Sequence, residues 1–434
     1  MHSRLSFFST ILGFILSALS AGAEEYPLRD AAECRVRGGL PNLLAKIDSG
    51  GDEEIRVAYL GGSITAAPGW RVKTMAWLRE HFPKVKFSEI HAAIGGTGSD
   101  LGVFRLQQDA LRHKPDLLLV EFAVNDGGAP PERIHQAMEG IVRQTWKVDP
   151  ETDICFVYTL SLPMLELMRA GKCWRSASAM EELADHYRIP SIHFGVEVAK
   201  LEKEGRLVFK GEKKPDGESK AGDPVLFSTD GVHPLIETGH NLYAEAFARS
   251  IQKIEESGAK SGPHDLGEPM RADNWEQAKL VPLSSVTLEG DWKILESGSH
   301  PIARRFAKFM PEIRLASKAG SSLSLSFKGS FVGIYDLLGP DCGQVRFAVD
   351  DKPEKVIKRI DGYCTYTRLS KITLTTGLDP REIHSVLVWL DSEIPDKRSI
   401  LFERNRPDFD KNPKKYDGTN WYVGSVMLIG DLVD

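Results

Sequence analysis

The chain has 434 residues, 41% of them hydrophobic and 27% charged, which is enough apolar material for a sizeable core and too long for one typical domain. Its formal net charge of −6 argues against a nucleic-acid partner, which would want a basic footprint. Five cysteines are an odd number, so at least one lacks an intramolecular partner, and no Cys/His spacing has the pattern of a zinc site.

Met1 to Arg4 make a short basic start, Leu5 to Leu19 are mostly apolar, and Ala21, Gly22 and Ala23 give a small-x-small cleavage pattern. Residues 1–23 therefore read as a secretory signal peptide, too short for a membrane span, with an uncleaved anchor as the alternative. No other run is long enough to cross a bilayer, so the mature chain is expected outside the cytoplasm with no stable membrane insertion. A short helix is expected over 40–47. Apolar runs at 55–60, 85–90, 116–122, 154–160 and 189–193 then alternate with amphipathic segments at 70–81, 100–112, 131–146 and 176–186. Strands alternating with helices of this size predict βαβ units and a parallel sheet, whose strands are covered on both faces.

The stretch 205–223 is rich in Gly, Lys, Asp and Glu and reads as an exposed loop, either a solvated linker or a lid over a site. A last helix is expected over 235–254, with Tyr243, Phe247, Ile251 and Ile254 on one stripe. Residues 257–264 are Gly/Ser/Lys/Pro-rich and mark a boundary, dividing the mature chain into units 24–258 and 259–434. Beyond it the period becomes two. Ser322 to Phe327 alternates strictly, Val345, Phe347 and Val349 alternate again, and further strands are expected at 331–335, 371–375, 385–390 and 424–429. Short strands between Gly, Pro and Asp turns predict a β-sandwich. Cys342 and Cys364 flank a hairpin there and could pair in an oxidising compartment, whereas Cys155 reads as a small apolar strand residue.

Four segments carry chemistry. Gly61 and Gly62 deliver Ser63 at the end of the first parallel strand, where open α/β sheets bind ligands. His91 to Gly98 follows the second strand, and Phe122 to Asp126 follows the third. Ser228 to Pro234 precedes the last helix. Asp230 and His233 are three residues apart, so the carboxylate can fix the imidazole tautomer and leave the other ring nitrogen free to take a proton from a serine. The Gly96 N–H, the Asn125 side-chain amide and the N–H of Ser63 itself could hold a developing oxyanion. Each segment alone also fits a turn or a helix cap.

Taken as an ordered set, the four blocks resemble the SGNH (GDSL-type) hydrolase family over residues 55–256. The resemblance implies a flavodoxin-like three-layer α/β/α parallel sheet, followed here by the all-β sandwich. It implies Ser63 as nucleophile, His233 as base, Asp230 as its orienting acid, and Gly96 and Asn125 as oxyanion donors. Gly62 stands where the family usually has Asp before the serine, and Ala123 where it usually has Gly. No metal or organic cofactor is implied.

Secreted members with a C-terminal β-sandwich look like carbohydrate esterases, so an acylated carbohydrate is the expected substrate, by family analogy. Trp70 and Trp174 lie near the blocks and could stack on a sugar ring; Trp421 and Tyr422, more than Trp389, could face a glycan in the second unit. Three functions are to be told apart: O-deacetylation of carbohydrates, O-acetyl transfer by the same triad, and glycan binding without turnover.

Overall fold

The computed structural model describes residues 26–50, 53–213 and 222–433. The expected signal peptide and part of the polar stretch, 214–221, lie outside the described residues.

The first sheet contains β1 (Cys34–Arg35), β2 (Ile55–Gly61), β3 (Phe87–His91), β4 (Leu117–Glu121), β5 (Asp153–Tyr158) and β6 (Ser191–His193), in the order β1-β6-β5-β4-β2-β3. β2 to β6 are parallel, and β1 adds an antiparallel edge beside β6. The parallel strands thus follow the flavodoxin-like order, with the topological switch between β2 and β4. Every residue of β4 and β5 is buried, as expected of strands covered on both faces.

Among the described residues, nine α-helices accompany it: α1 (Pro41–Ser49), α2 (Ser63–Ala66), α3 (Trp70–His81), α4 (Ser99–Asp109), α5 (Pro131–Val148), α6 (Leu165–Arg169), α7 (Arg175–His186), α8 (Gly195–Lys203) and α9 (Gly239–Glu255). α3, α8 and α9 pack together in one layer, and α4, α5 and α7 in another. The predicted stripe of α9 is buried in full. Part of the stretch read as a loop carries β7 (Leu207–Lys210), which pairs in parallel with β8 (Val225–Ser228). β7 is only four residues long, and burial alternates along it.

The second sheet has ten strands: β9 (Ala278–Pro282), β10 (Thr287–Glu289), β11 (Trp292–Ile294), β12 (Arg314–Ala316), β13 (Ser322–Leu338), β14 (Gln344–Val349), β15 (Lys355–Lys358), β16 (Arg368–Thr376), β17 (Ile383–Leu390) and β18 (Trp421–Val433). It becomes a sandwich because β13 serves both layers. Its first part pairs with β10 and β17, its second with β16 and β18. At the crossing Gly329 faces Gly430, and a Cβ on either would run into the opposite backbone. Gly430 also has φ +132, a conformation that only glycine adopts without strain. The alternating Leu323, Leu325 and Phe327 point into the core between the layers together with Val345 and Phe347.

The two sheets share apolar packing. Phe104 of α4 meets Trp275 and Phe331 with ring centroids 5.6 and 4.8 Å away, and buried residues from both sheets form one continuous cluster.

Two expectations for the second unit are corrected. Trp421 and Tyr422 are buried, the indole donating to Asp336 and the phenol to Asp341, so neither presents a face to a glycan. All five cysteines are free thiols: Cys342 donates to Leu337 O, and Cys364 bonds Asp361.

Candidate active site

The chain leaves β2 through Gly61 and Gly62 and turns directly into α2, whose first residue is Ser63. Gly62 has an extended backbone, so its small size, not its φ, is what the turn requires. A Cβ there would lie 2.6 Å from Asn125 Cγ and collide with the amide oxygen. A side chain at position 62 is therefore excluded by the group packed over it, which accounts for glycine where the resemblance expects aspartate.

Ser63 Oγ lies 2.8 Å from His233 Nε2, and His233 Nδ1 lies 2.7 Å from Asp230 Oδ2. A carboxylate only accepts, so Nδ1 carries the proton and Nε2 is free to accept from the serine hydroxyl. The residues come from opposite ends of the α/β unit, 170 positions apart. The loop bearing the dyad is held locally. Ser228 Oγ–H donates to Asp230 Oδ1 at 3.0 Å and accepts from Gly231 N–H, while Leu162 N–H donates to Gly231 O. Burial works against the Asp230 charge, but the His233 ring, the amides of His233 and Val232 and the Ser228 hydroxyl outweigh it and hold the carboxyl well below the usual range. The side chains of His233 and Asp230 are 50% and 53% exposed, so water reaches the dyad.

This sets an expected pH profile. Asp230 stays ionised as the pH falls, while an imidazole that already holds a proton at Nε2 cannot accept the serine proton. The logarithm of kcat/KM should therefore fall on the acid side with a slope of about one proton, and a slope of two would show that Asp230 titrates as well. Initial rates on a soluble acetyl ester in a constant-ionic-strength buffer series read this directly.

Gly95 and Gly96 follow β3 and bring open backbone to the serine. A Cβ on Gly95 would touch Ser63 Cβ at 3.6 Å, and Gly96 adopts φ +74 with open space around it. Asn125 follows β4 and reaches over Gly62. The turn that carries it is anchored on both sides: Ser176 O–H and Trp174 indole N–H donate to Ala123 O, and buried Asp126 accepts from Ser99 N–H at the start of α4. Burial pushes the Asp126 carboxyl up to about 7, with Asp100 adding to the rise and the Ser99 bonds and Lys371 opposing it. Ser63, Gly96, Asn125, Asp230 and His233 thus come together at the carboxyl ends of the strands, as expected of a doubly wound sheet.

Trp70 and Trp174 do not line the site. They are 0% and 4% exposed: Trp70 packs between Tyr59 and Phe194, and Trp174 sits against His193. Their sugar-stacking role is ruled out by burial.

A cleft adjoins the site on the side of Gly96 and Asn125; Ser63, Asp230 and His233 are not among the residues that line it. Gly96, Gly98, Asn125 and Asp126 line this cleft of about 390 Å³, whose far side is β16, from Arg368 to Lys371. Lys371 makes an ion pair with Asp100 across it. Next to Arg368, whose guanidinium lies 5.8 Å from the Tyr363 ring, Tyr363 and Tyr366 are each 50% exposed.

Residues 59–237 match the family model of GDSL-like lipases and acylhydrolases. This part of the chain belongs to that family. The family assignment makes the protein a hydrolase of ester bonds. No curated protein matches the chain. Among solved structures, a two-domain esterase active on acetylated mannans, co-crystallised with mannopentaose, superposes with a TM-score of 0.70 at 20% identity, over 94% of this chain and 100% of that one. A second structure of a two-domain esterase active on acetylated mannans gives 0.68 at 20% identity, over 92% and 99% of the two chains. At that identity the likeness is one of fold, and it extends through both sheets.

Proposed function

We propose that the protein is a secreted serine esterase that removes O-acetyl or other short acyl groups from carbohydrate. The carrying observation is the unbroken relay from Ser63 through His233 to Asp230. In this reading Ser63 attacks the ester carbonyl as His233 takes its proton. Gly96 N–H, Ser63 N–H and Asn125 hold the oxyanion. His233 then protonates the leaving sugar hydroxyl, and water clears the acyl-enzyme. The exposure of the dyad favours water as acceptor over a second sugar, hence hydrolysis over transfer. Secretion rests on the composition of residues 1–23.

In the same reading residues 24–258 form the catalytic unit and 259–434 the sandwich, which contributes β16 as a wall of the cleft. The acetylated-mannan activity of the esterases that share this two-sheet fold makes acetylated mannan the first substrate to try. The exposed tyrosines beside the cleft suit a sugar chain. The test is acetate release from acetylated mannan, xylan and pectin. Release from one polymer identifies reaction and substrate together. If none releases acetate while p-nitrophenyl acetate is cleaved, the carbohydrate assignment is wrong and the esterase chemistry stands.

A further inference from the structure

Glu121 ends β4, where its neighbours Leu117 to Val120 and Phe122 are apolar and buried, and it is itself fully buried. An ionisable side chain in such a place is costly unless its hydrogen bonds are satisfied. Here they are met from three segments. Thr65 O–H donates to Oε2 at 2.7 Å, Thr159 O–H donates to Oε1 at 2.7 Å, and the backbone N–H of Gly62 also donates to the carboxyl. Gly62 immediately precedes Ser63, and Thr65 follows it by two positions within α2. The carboxyl therefore grips the nucleophile turn on both sides of the serine while Thr159 ties it to the end of β5. The turn is folded tightly over this group: a Cβ on Gly61 would lie 2.7 Å from Thr65 Oγ1 and 2.8 Å from Glu121 O. An apolar residue at 121 would leave two hydroxyls and an amide unpartnered beneath the serine.

We propose that Glu121 is a positioning residue for Ser63: by holding Gly62 N–H and Thr65 O–H together it fixes the direction of the serine side chain toward His233, without touching substrate. The proposal rests on the esterase reading. A nucleophile displaced by a fraction of an ångström from its base loses rate with little change in substrate binding.

The test uses the full chain and two readouts of serine reactivity that need no carbohydrate: the second-order rate of labelling by a fluorophosphonate, and kcat and KM on p-nitrophenyl acetate per titrated site. Glu121→Gln and Thr65→Val should each slow labelling and lower kcat by between about ten- and a hundredfold, with KM within a factor of about two. Thr65→Ser, which restores the hydroxyl, should recover most of the rate. A purely structural role would lower the melting temperature while leaving labelling per folded molecule at the wild-type value, and that result overturns the proposal. If Glu121→Gln does not fold, the Thr65→Val and Thr65→Ser pair decides, since both keep the carboxyl. A wild-type protein that the probe does not label would instead sink the esterase reading, and the proposal with it.

Discussion

Ser63→Ala is expected to abolish acetate release, lowering kcat by about 10⁶-fold, while leaving the melting temperature close to wild type. Among the described residues the serine side chain hydrogen-bonds His233, and α2 is capped by Gly62 without any side-chain bond, so the fold loses little with the hydroxyl. Rate is lost because no other group stands where the nucleophile stood. His233→Ala should cost about as much, and the double variant no more than either single one, because nucleophile and base act as a unit. Asp230→Ala should cost less, on the order of 10⁴-fold, since the imidazole remains but loses the partner that orients it. The measurement is initial acetate release at high enzyme concentration, with circular dichroism to confirm folding. A Ser63→Ala protein retaining a tenth of wild-type activity would mean that another nucleophile does the work.

The second large effect falls on the oxyanion side. Asn125→Ala should lower kcat by about 10²- to 10³-fold with little change in KM, the usual cost of losing one preorganised donor. Gly62→Ala should approach the same loss by a different route, because the new methyl occupies the space of the Asn125 amide and must push it aside. The two losses should therefore not add. With the amide gone, the methyl at 62 has room, and the double variant should be only slightly slower than Asn125→Ala alone. Full additivity would show that Gly62 matters for something other than clearance beneath Asn125.

The parts of the molecule that could be read in advance were those with a local cause. Parallel strands covered on both faces must be continuous apolar runs, so β2, β4 and β5 were visible, and the stripe of α9 marked its buried face. The site blocks were visible because each sits where one of these elements ends. β7, β8 and α8 go unmarked in the sequence because they are short, four, four and nine residues long. Trp70 and Trp174 are open to two readings in the sequence because a tryptophan beside a motif has the same letter whether its ring faces solvent or core; only packing against Phe194 and His193 decides it. The β16 wall could not be foreseen, since Asp100 and Lys371 are 271 residues apart. Glu121 did leave a trace: it is the one charged residue inside β4.

The shared packing around Phe104, Trp275 and Phe331 has a consequence for how such a chain could be assembled over time. A sandwich joined by a bare tether can be exchanged, duplicated or lost as a cassette without disturbing its neighbour. Here the α/β half would bare Phe104 of α4 if the sandwich were removed, and one wall of the cleft would go with it. Sandwich and hydrolase are thereby bound to change together, each substitution on one side of the seam tested against the other.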